Sequence, residues 1–98
     1  MEIVKKTDGK KLTIELEGRL DTINSPQLDN ELKASLGGVE ELVFDLTKLD
    51  YISSAGLRVL LSAQKTMNKQ GSMTVCNVNS TILEIFEITG FSDVLTIV

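Results

Sequence analysis

The start of the chain alternates apolar and polar residues with a period of two. In residues 10–17, KKLTIELE, every second side chain from Leu12 onward is apolar, which predicts a strand with one face packed and the other in water. The dipeptide Asp8-Gly9 precedes this strand and accepts the positive φ angles of a two-residue turn. Residues 2–7 therefore form the other arm of a predicted hairpin.

The next apolar segment has the period of a helix. Leu28, Leu32 and Leu36 lie four residues apart, and two glycines follow them as a left-handed stop. Ser25 is the predicted N-cap, and Pro26 suits the first helical position because its φ angle is fixed and it has no N–H group. This segment is therefore predicted to be the first helix after the hairpin.

The rest of the chain continues to alternate strands and helices. Strands are predicted at residues 40–46, 72–78 and 94–98, and helices at residues 54–70 and 80–89. The order β-β-α-β-α-β-α-β predicts an α/β fold, a mixed and mostly parallel sheet of about five strands with helices packed on it. The polar face of the second strand indicates that part of the sheet is uncovered on one side.

Composition and charge narrow the class of protein. A chain of 98 residues with 42% apolar content suits one globular domain, residues 1–98. The net charge is −4 and the basic residues are dispersed, so we expect no nucleic-acid partner. The sequence shows neither a bilayer-spanning apolar run nor the apolar segment of a signal peptide, so we expect a soluble, cytoplasmic protein with no membrane partner. Cys76, the single cysteine, lies in an apolar strand pattern and is predicted to pack in the core.

The absence of histidine restricts the possible chemistry. It excludes Ser-His-Asp and Cys-His catalysis and imidazole metal ligands. The glycine-rich motifs that cradle phosphates are also missing, and the sequence has no convincing cluster of metal ligands. We therefore expect a binding protein with no catalytic residue, cofactor or metal, and a small phosphate- or nucleotide-binding enzyme is the alternative.

The loops that lead from a strand into a helix are predicted to converge. Strands joined by a crossover helix in one sheet are normally parallel, so these loops emerge at the same, carboxyl edge. They are residues 18–25, 47–54 and 77–80. Asp21, the adjacent serines Ser53 and Ser54, and Asn79 are therefore predicted to lie at one end of the molecule, where open α/β sheets bind their ligands.

Two adjacent serines mark the predicted start of the helix at residues 54–70. Either Ser53 or Ser54 can serve as its N-cap, and Ala55 and Gly56 keep the first turn open to a partner's backbone or a phosphate. A cap alone is a sufficient structural explanation of one serine. The other hydroxyl is a candidate for phosphorylation, because a helix N-terminus stabilises negative charge, and the added charge would repel an acidic partner.

Three segments together resemble the STAS domain family, in particular the stand-alone bacterial anti-sigma factor antagonists. They are LTIELEGRLDTINSPQL, ELVFDLTKLDYISSAGLRVLL and GFSDVLTI, and the resemblance extends over essentially the whole chain. The resemblance implies partner switching: the unphosphorylated antagonist binds an anti-sigma factor that is also a serine kinase, and a sigma factor is released. Phosphorylation by that kinase ends the binding, and a serine phosphatase restores it.

The resemblance also implies which residues take part. The family's phosphorylated serine stands two residues before a glycine, which here is Ser54 before Gly56, and its loop aspartate falls on Asp21. The implied partner-binding residues are Asp21, Thr22, Ser53, Ala55, Gly56 and Arg58. Many members have aspartate where this chain has Ser53, so Ser53 is an alternative acceptor. A STAS domain that docks constitutively in a larger signalling assembly is the alternative function.

Overall fold

The computed structural model describes all 98 residues, Met1–Val98, and contains four strands and three α-helices. Their bounds are β1 Glu2–Asp8, β2 Lys11–Leu20, α1 Ser25–Ser35, β3 Glu41–Ile52, α2 Ser54–Gln70, β4 Ser72–Cys76 and α3 Ser80–Thr89, followed by a 3₁₀ turn at Phe91–Asp93. The predicted order is confirmed as far as α3. None of the helices is long and apolar enough to cross a membrane.

The sheet is mixed, as predicted, with the strand order β1-β2-β3-β4. The β1–β2 hairpin is antiparallel, and β2–β3 and β3–β4 are parallel. Each crossover moves one strand further in the same direction, so right-handed connections place α1 and α2 on the same face of the sheet. One cluster of 23 buried hydrophobic residues fills the space between that face and the helices.

The opposite face of the sheet is not covered by helices. Cys76 lies there half-buried, opposite Asp45 of β3, so the prediction that it packs in the core is wrong. Alternate residues of β2 and β3 show the same asymmetry, because Ile14 and Phe44 are fully buried while Glu15 is only half-buried. The prediction of a partly uncovered sheet is therefore confirmed.

Strand β3 is longer than the predicted 40–46 and continues to Ile52, through residues that were predicted to be a loop. Its register with β2 shifts twice, and each shift is a β-bulge that places one extra residue in β3. As a result Leu46, Leu49 and Ile52 are buried at intervals of three residues. This spacing does not match the alternation of a regular strand, which is why the sequence pattern did not reveal it.

The predicted last strand, residues 94–98, is reduced to a single parallel bridge between Val75 and Ile97. Val75 N–H donates to the Thr96 carbonyl at 2.8 Å, and Val98 N–H donates to the Val75 carbonyl at 3.0 Å. The preceding residues form the 3₁₀ turn, so the chain reaches the edge of β4 only for its last few residues. The sheet therefore has four strands instead of about five.

Candidate docking and phosphorylation site

The two serines at the start of α2 have different environments. Ser53 is the N-cap, with φ −92° and ψ 173°, and its Oγ accepts a hydrogen bond from Gly56 N–H at 3.3 Å. Ser54 is the first residue of the helix and is exposed, and its hydroxyl has no hydrogen-bond partner within the chain. The capping function therefore belongs to Ser53, and Ser54 carries the spare hydroxyl.

Gly56 does not open the first turn of α2 to a partner, so that part of the sequence prediction is wrong. The residue is buried, and a Cβ atom placed on it would lie 2.7 Å from Leu20 Cγ and 2.9 Å from Ile52 Cγ1. Its missing side chain therefore faces inward, toward the ends of β2 and β3. It allows α2 to pack closely over these strand ends, with Ser54 above them in solvent.

The turn that follows β2 is held by reciprocal hydrogen bonds. The Asp21 carboxylate accepts from the N–H groups of Ile23 at 3.0 Å and Asn24 at 3.1 Å. The Asn24 side chain accepts from Asp21 N–H at 2.8 Å and donates to the Arg19 carbonyl at 2.6 Å. Asp21 therefore shapes this turn by binding its backbone, and the turn is preorganised.

The sequence predicted Ser25 as the N-cap of α1, and this prediction is wrong. The same hydrogen bonds explain the difference. The helix begins at Ser25, and Asn24 occupies the cap position without making a side-chain cap bond. Asn24 is instead committed to the turn, and the buried Ser25 hydroxyl donates back to the Asp21 carbonyl. The Asp21 carbonyl thus accepts from both the backbone N–H and the hydroxyl of Ser25.

The three strand-to-helix loops meet at one edge, as predicted. Ser53 N–H donates to the carbonyl of Leu20 at 2.9 Å, which places the start of α2 beside the turn that begins at Asp21. The third loop reaches the same end of β3 through Asn79, whose side chain donates to the Leu49 carbonyl at 2.9 Å. The Asn79 side chain also caps α3 by accepting from Ile82 N–H at 2.9 Å. The serines and the Asp21 turn thus share a rim.

A shallow groove of about 310 Å³ opens between the start of α1 and the first turns of α2. Thr22, Pro26 and Asp29 line one side, and Ala55, Arg58 and Val59 line the other. Arg58 is exposed and forms no ion pair. The predicted partner residues Thr22, Ala55 and Arg58 are therefore brought together, although they are far apart in sequence.

Sequence analysis missed one residue of this rim, Ile23. Its side chain is 90% exposed, although it is large and apolar, and the backbone bond to Asp21 fixes its position. Single exposed apolar residues are common on protein surfaces, so exposure alone does not define a site. The available signal was that Ile23 fits no apolar period of a strand or helix.

The uncovered sheet face holds a second depression, which Asp45 and Thr47 help to line, and Cys76 lies opposite Asp45 on the neighbouring strand. The Asp45 carboxylate accepts from the Thr47 hydroxyl at 2.5 Å and from Asn77 Nδ2 at 3.1 Å, and the Thr47 bond is the main cause that lowers the pKa of Asp45. Burial, and then the negative charge of Asp45, raises the pKa of the Cys76 thiol. The thiol therefore stays protonated at neutral pH and is a weak nucleophile.

The sequence pattern of the family described as STAS domain matches residues 2–98. BtrV of Bordetella bronchiseptica, a protein assigned to the anti-sigma factor antagonists, is 39% identical over 94 residues, which cover 94% of this chain and 80% of BtrV. The anti-sigma-B factor antagonist of Listeria monocytogenes is 30% identical over 98 residues, which cover 96% of this chain and 84% of that protein.

Solved structures share the fold of this chain. The anti-sigma factor antagonist SpoIIAA in its unphosphorylated form superimposes with a TM-score of 0.79 at 17% identity, covering 99% of this chain and 87% of that one. Its phosphorylated form superimposes with a TM-score of 0.77, covering 99% and 91%. The chain belongs to the STAS domain family and, within it, to the anti-sigma factor antagonists.

Proposed function

We propose that this chain is an anti-sigma factor antagonist switched by phosphorylation of Ser54. Unphosphorylated, it binds an anti-sigma factor that is also a serine kinase, and a sigma factor is released. The observation that carries this proposal is the exposed Ser54 hydroxyl, which has no partner within the chain and lies on the rim shared with the Asp21 turn. The names of its relatives, which include antagonists of anti-sigma-B and anti-sigma F factors, support the same assignment.

The docking surface in this proposal is the rim together with the groove beside it. The turn fixed by Asp21 presents Thr22 and Ile23, and the groove adds Ala55 and Arg58. Ser53 contributes by capping α2, and Gly56 contributes from beneath by setting the position of the helix. An apolar side chain on a preorganised turn, flanked by polar groups, is the composition expected of a contact region.

The switch acts by adding charge to this surface. The kinase transfers the γ-phosphoryl group of ATP to the Ser54 oxygen, the hydroxyl proton is lost and ADP leaves. The product carries about −1.5 to −2 charges at neutral pH, next to the carboxylates already present at this edge. A serine phosphatase removes the group by hydrolysis. The chain itself acts in the cytoplasm as a binding protein, without catalytic activity or cofactor.

Mass spectrometry of serine variants tests the site. After incubation with ATP and the serine-kinase anti-sigma factor from the same genome, we expect the wild type and Ser53→Ala to gain one phosphoryl group. Ser54→Ala should gain none, because its acceptor oxygen is missing. Circular dichroism of each variant verifies folding. Undiminished phosphorylation of Ser54→Ala would overturn the site, and binding of the kinase without any phosphorylation would indicate a constitutive docking module instead.

Substitution of Ile23 tests the docking surface. We expect Ile23→Ala to weaken binding of the anti-sigma factor by about tenfold, because truncation removes the large exposed apolar side chain of the Asp21 turn. The matched control is Ile88→Ala, which truncates an isoleucine that is 77% exposed on α3. Isothermal titration calorimetry gives both affinities. Equal affinities of the two variants would show that Ile23 lies outside the interface.

A further inference from the structure

We infer that Arg58 binds the phosphoryl group once Ser54 carries it, so that phosphorylation withdraws this arginine from the docking surface. The inference rests on the proposed phosphorylation of Ser54 and adds a second element to the switch. The phosphate does not only add negative charge to the rim. It also occupies a guanidinium group that the unphosphorylated chain offers to its partner.

The first argument is the geometry of the helix. Ser54 and Arg58 are four residues apart on α2, and both are exposed. The Cβ atoms of residues at this spacing are about 5–6 Å apart on one face of a helix. Helical side chains lean toward the N-terminus, so Arg58 covers the turn that begins with Ser54. The long arginine side chain therefore reaches the space into which a phosphate on Ser54 projects.

The second argument is that Arg58 has no competing partner within the chain. Its guanidinium group takes part in none of the side-chain hydrogen bonds or ion pairs of the structure. The acidic residue that lines its groove, Asp29, is paired with Lys33 at 2.9 Å. The other arginine, Arg19, lies over the Tyr51 ring with its guanidinium carbon 4.4 Å from the ring centroid. Arg58 is thus the uncommitted arginine at this edge.

The third argument concerns the surrounding charge. No acidic residue lies in the first turn of α2, and of its backbone donors Gly56 N–H is taken by Ser53. Carboxylates lie near this edge, namely Asp21 in the turn, Asp29 on α1 and Asp50 on β3, and the remaining arginine, Arg19, is stacked on Tyr51. The carboxylates repel a dianionic phosphate, so an adjacent cation has a large effect on it. Arginine–phosphate pairs form charge-assisted bonds that are frequently bidentate.

A titration of the phosphate measures the contact directly. Phosphoserine is introduced at position 54 during translation by amber suppression, so the sample does not depend on a kinase. We expect the second pKa of the phosphoserine, followed by ³¹P NMR, to be lower in the otherwise wild-type chain than in Arg58→Gln by about 0.5 pH unit or more, because a neighbouring cation favours the dianion. The phosphoserine pKa in Arg58→Lys should lie between these two values, since lysine keeps the positive charge but lacks the planar group that binds phosphate through two hydrogen bonds.

The control is Lys65→Gln, which removes one positive charge from the exposed face of the same helix, two turns further along. We expect it to leave the phosphate pKa within about 0.1 pH unit of the wild-type value, because solvent screens the separated charge. Equal pKa values in the wild type and Arg58→Gln would overturn the inference. That result would not contradict the proposal that the kinase phosphorylates Ser54. Conversely, if the kinase phosphorylated another residue, the proposed function would be wrong, but the titration would still report whether Arg58 contacts a phosphate at position 54.

Discussion

The Gly71→Ala variant is expected to lose about 3 kcal/mol of unfolding free energy, because the added methyl group has no room. A Cβ atom on Gly71 would lie 1.8 Å from the carbonyl oxygen of Glu40. The same oxygen accepts a hydrogen bond from Ser72 N–H at 2.9 Å, which starts the pairing of β4 with β3.

Urea denaturation followed by circular dichroism measures this loss. The matched control is Gly37→Ala, where an added Cβ would have no atom within 4 Å. We expect the control to unfold within about 0.5 kcal/mol of the wild type, because surface substitutions away from special features have small effects. A similar loss in both variants would show that the tight contact at Glu40 is not the cause.

The second large effect is expected at the docking surface. Ser54→Asp should weaken binding of the anti-sigma factor by about 100-fold, whereas Ser54→Ala should bind within a few-fold of the wild type. The aspartate places a charge at the centre of the rim, beside the Asp21 turn, and like charges brought together in an interface cost several kcal/mol. A full phosphoryl group carries more charge and should weaken binding further.

Calorimetry of three variants separates charge from position. Ser62→Asp adds the same charge to an exposed site on α2, two turns beyond Ser54, and should bind nearly as the wild type does. Equal affinities of Ser54→Ala and Ser54→Asp would contradict the electrostatic account. Weak binding of all three would instead indicate that α2 does not tolerate substitution along this side.

The parts of the fold that were predictable are those that depend on one regular period. The alternation in β2 and the four-residue spacing of Leu28, Leu32 and Leu36 each report a single face of a single element. The second half of β3 was not predictable, because two bulges convert the period of two into one of three. The sequence predicted a last strand at residues 94–98 because these residues favour β structure. In the fold they form only a single bridge, between Ile97 and Val75.

The sequence predicted which loops form the site, but it did not predict the contacts of individual side chains. Connectivity alone places Asp21 and the two serines at one edge, since it requires only parallel strands. Which serine caps α2 depends on the backbone angles of Ser53, which no residue pattern specifies. The inward position of Gly56 depends on its contact with Leu20, which is 36 residues away in sequence and is brought beside α2 by the pairing of β2 with β3.

Because Ser53 and Ser54 have different environments, modification of the Ser54 hydroxyl would leave the cap of α2 unchanged. The bond from Gly56 N–H ends on the Ser53 oxygen, and the Ser54 oxygen takes no part in it. Esterification of Ser54 therefore removes no hydrogen bond from the first turn of α2, and the same scaffold can persist in both chemical forms. A group added to Ser54 or removed from it would therefore change the charge of this surface without any refolding of the protein.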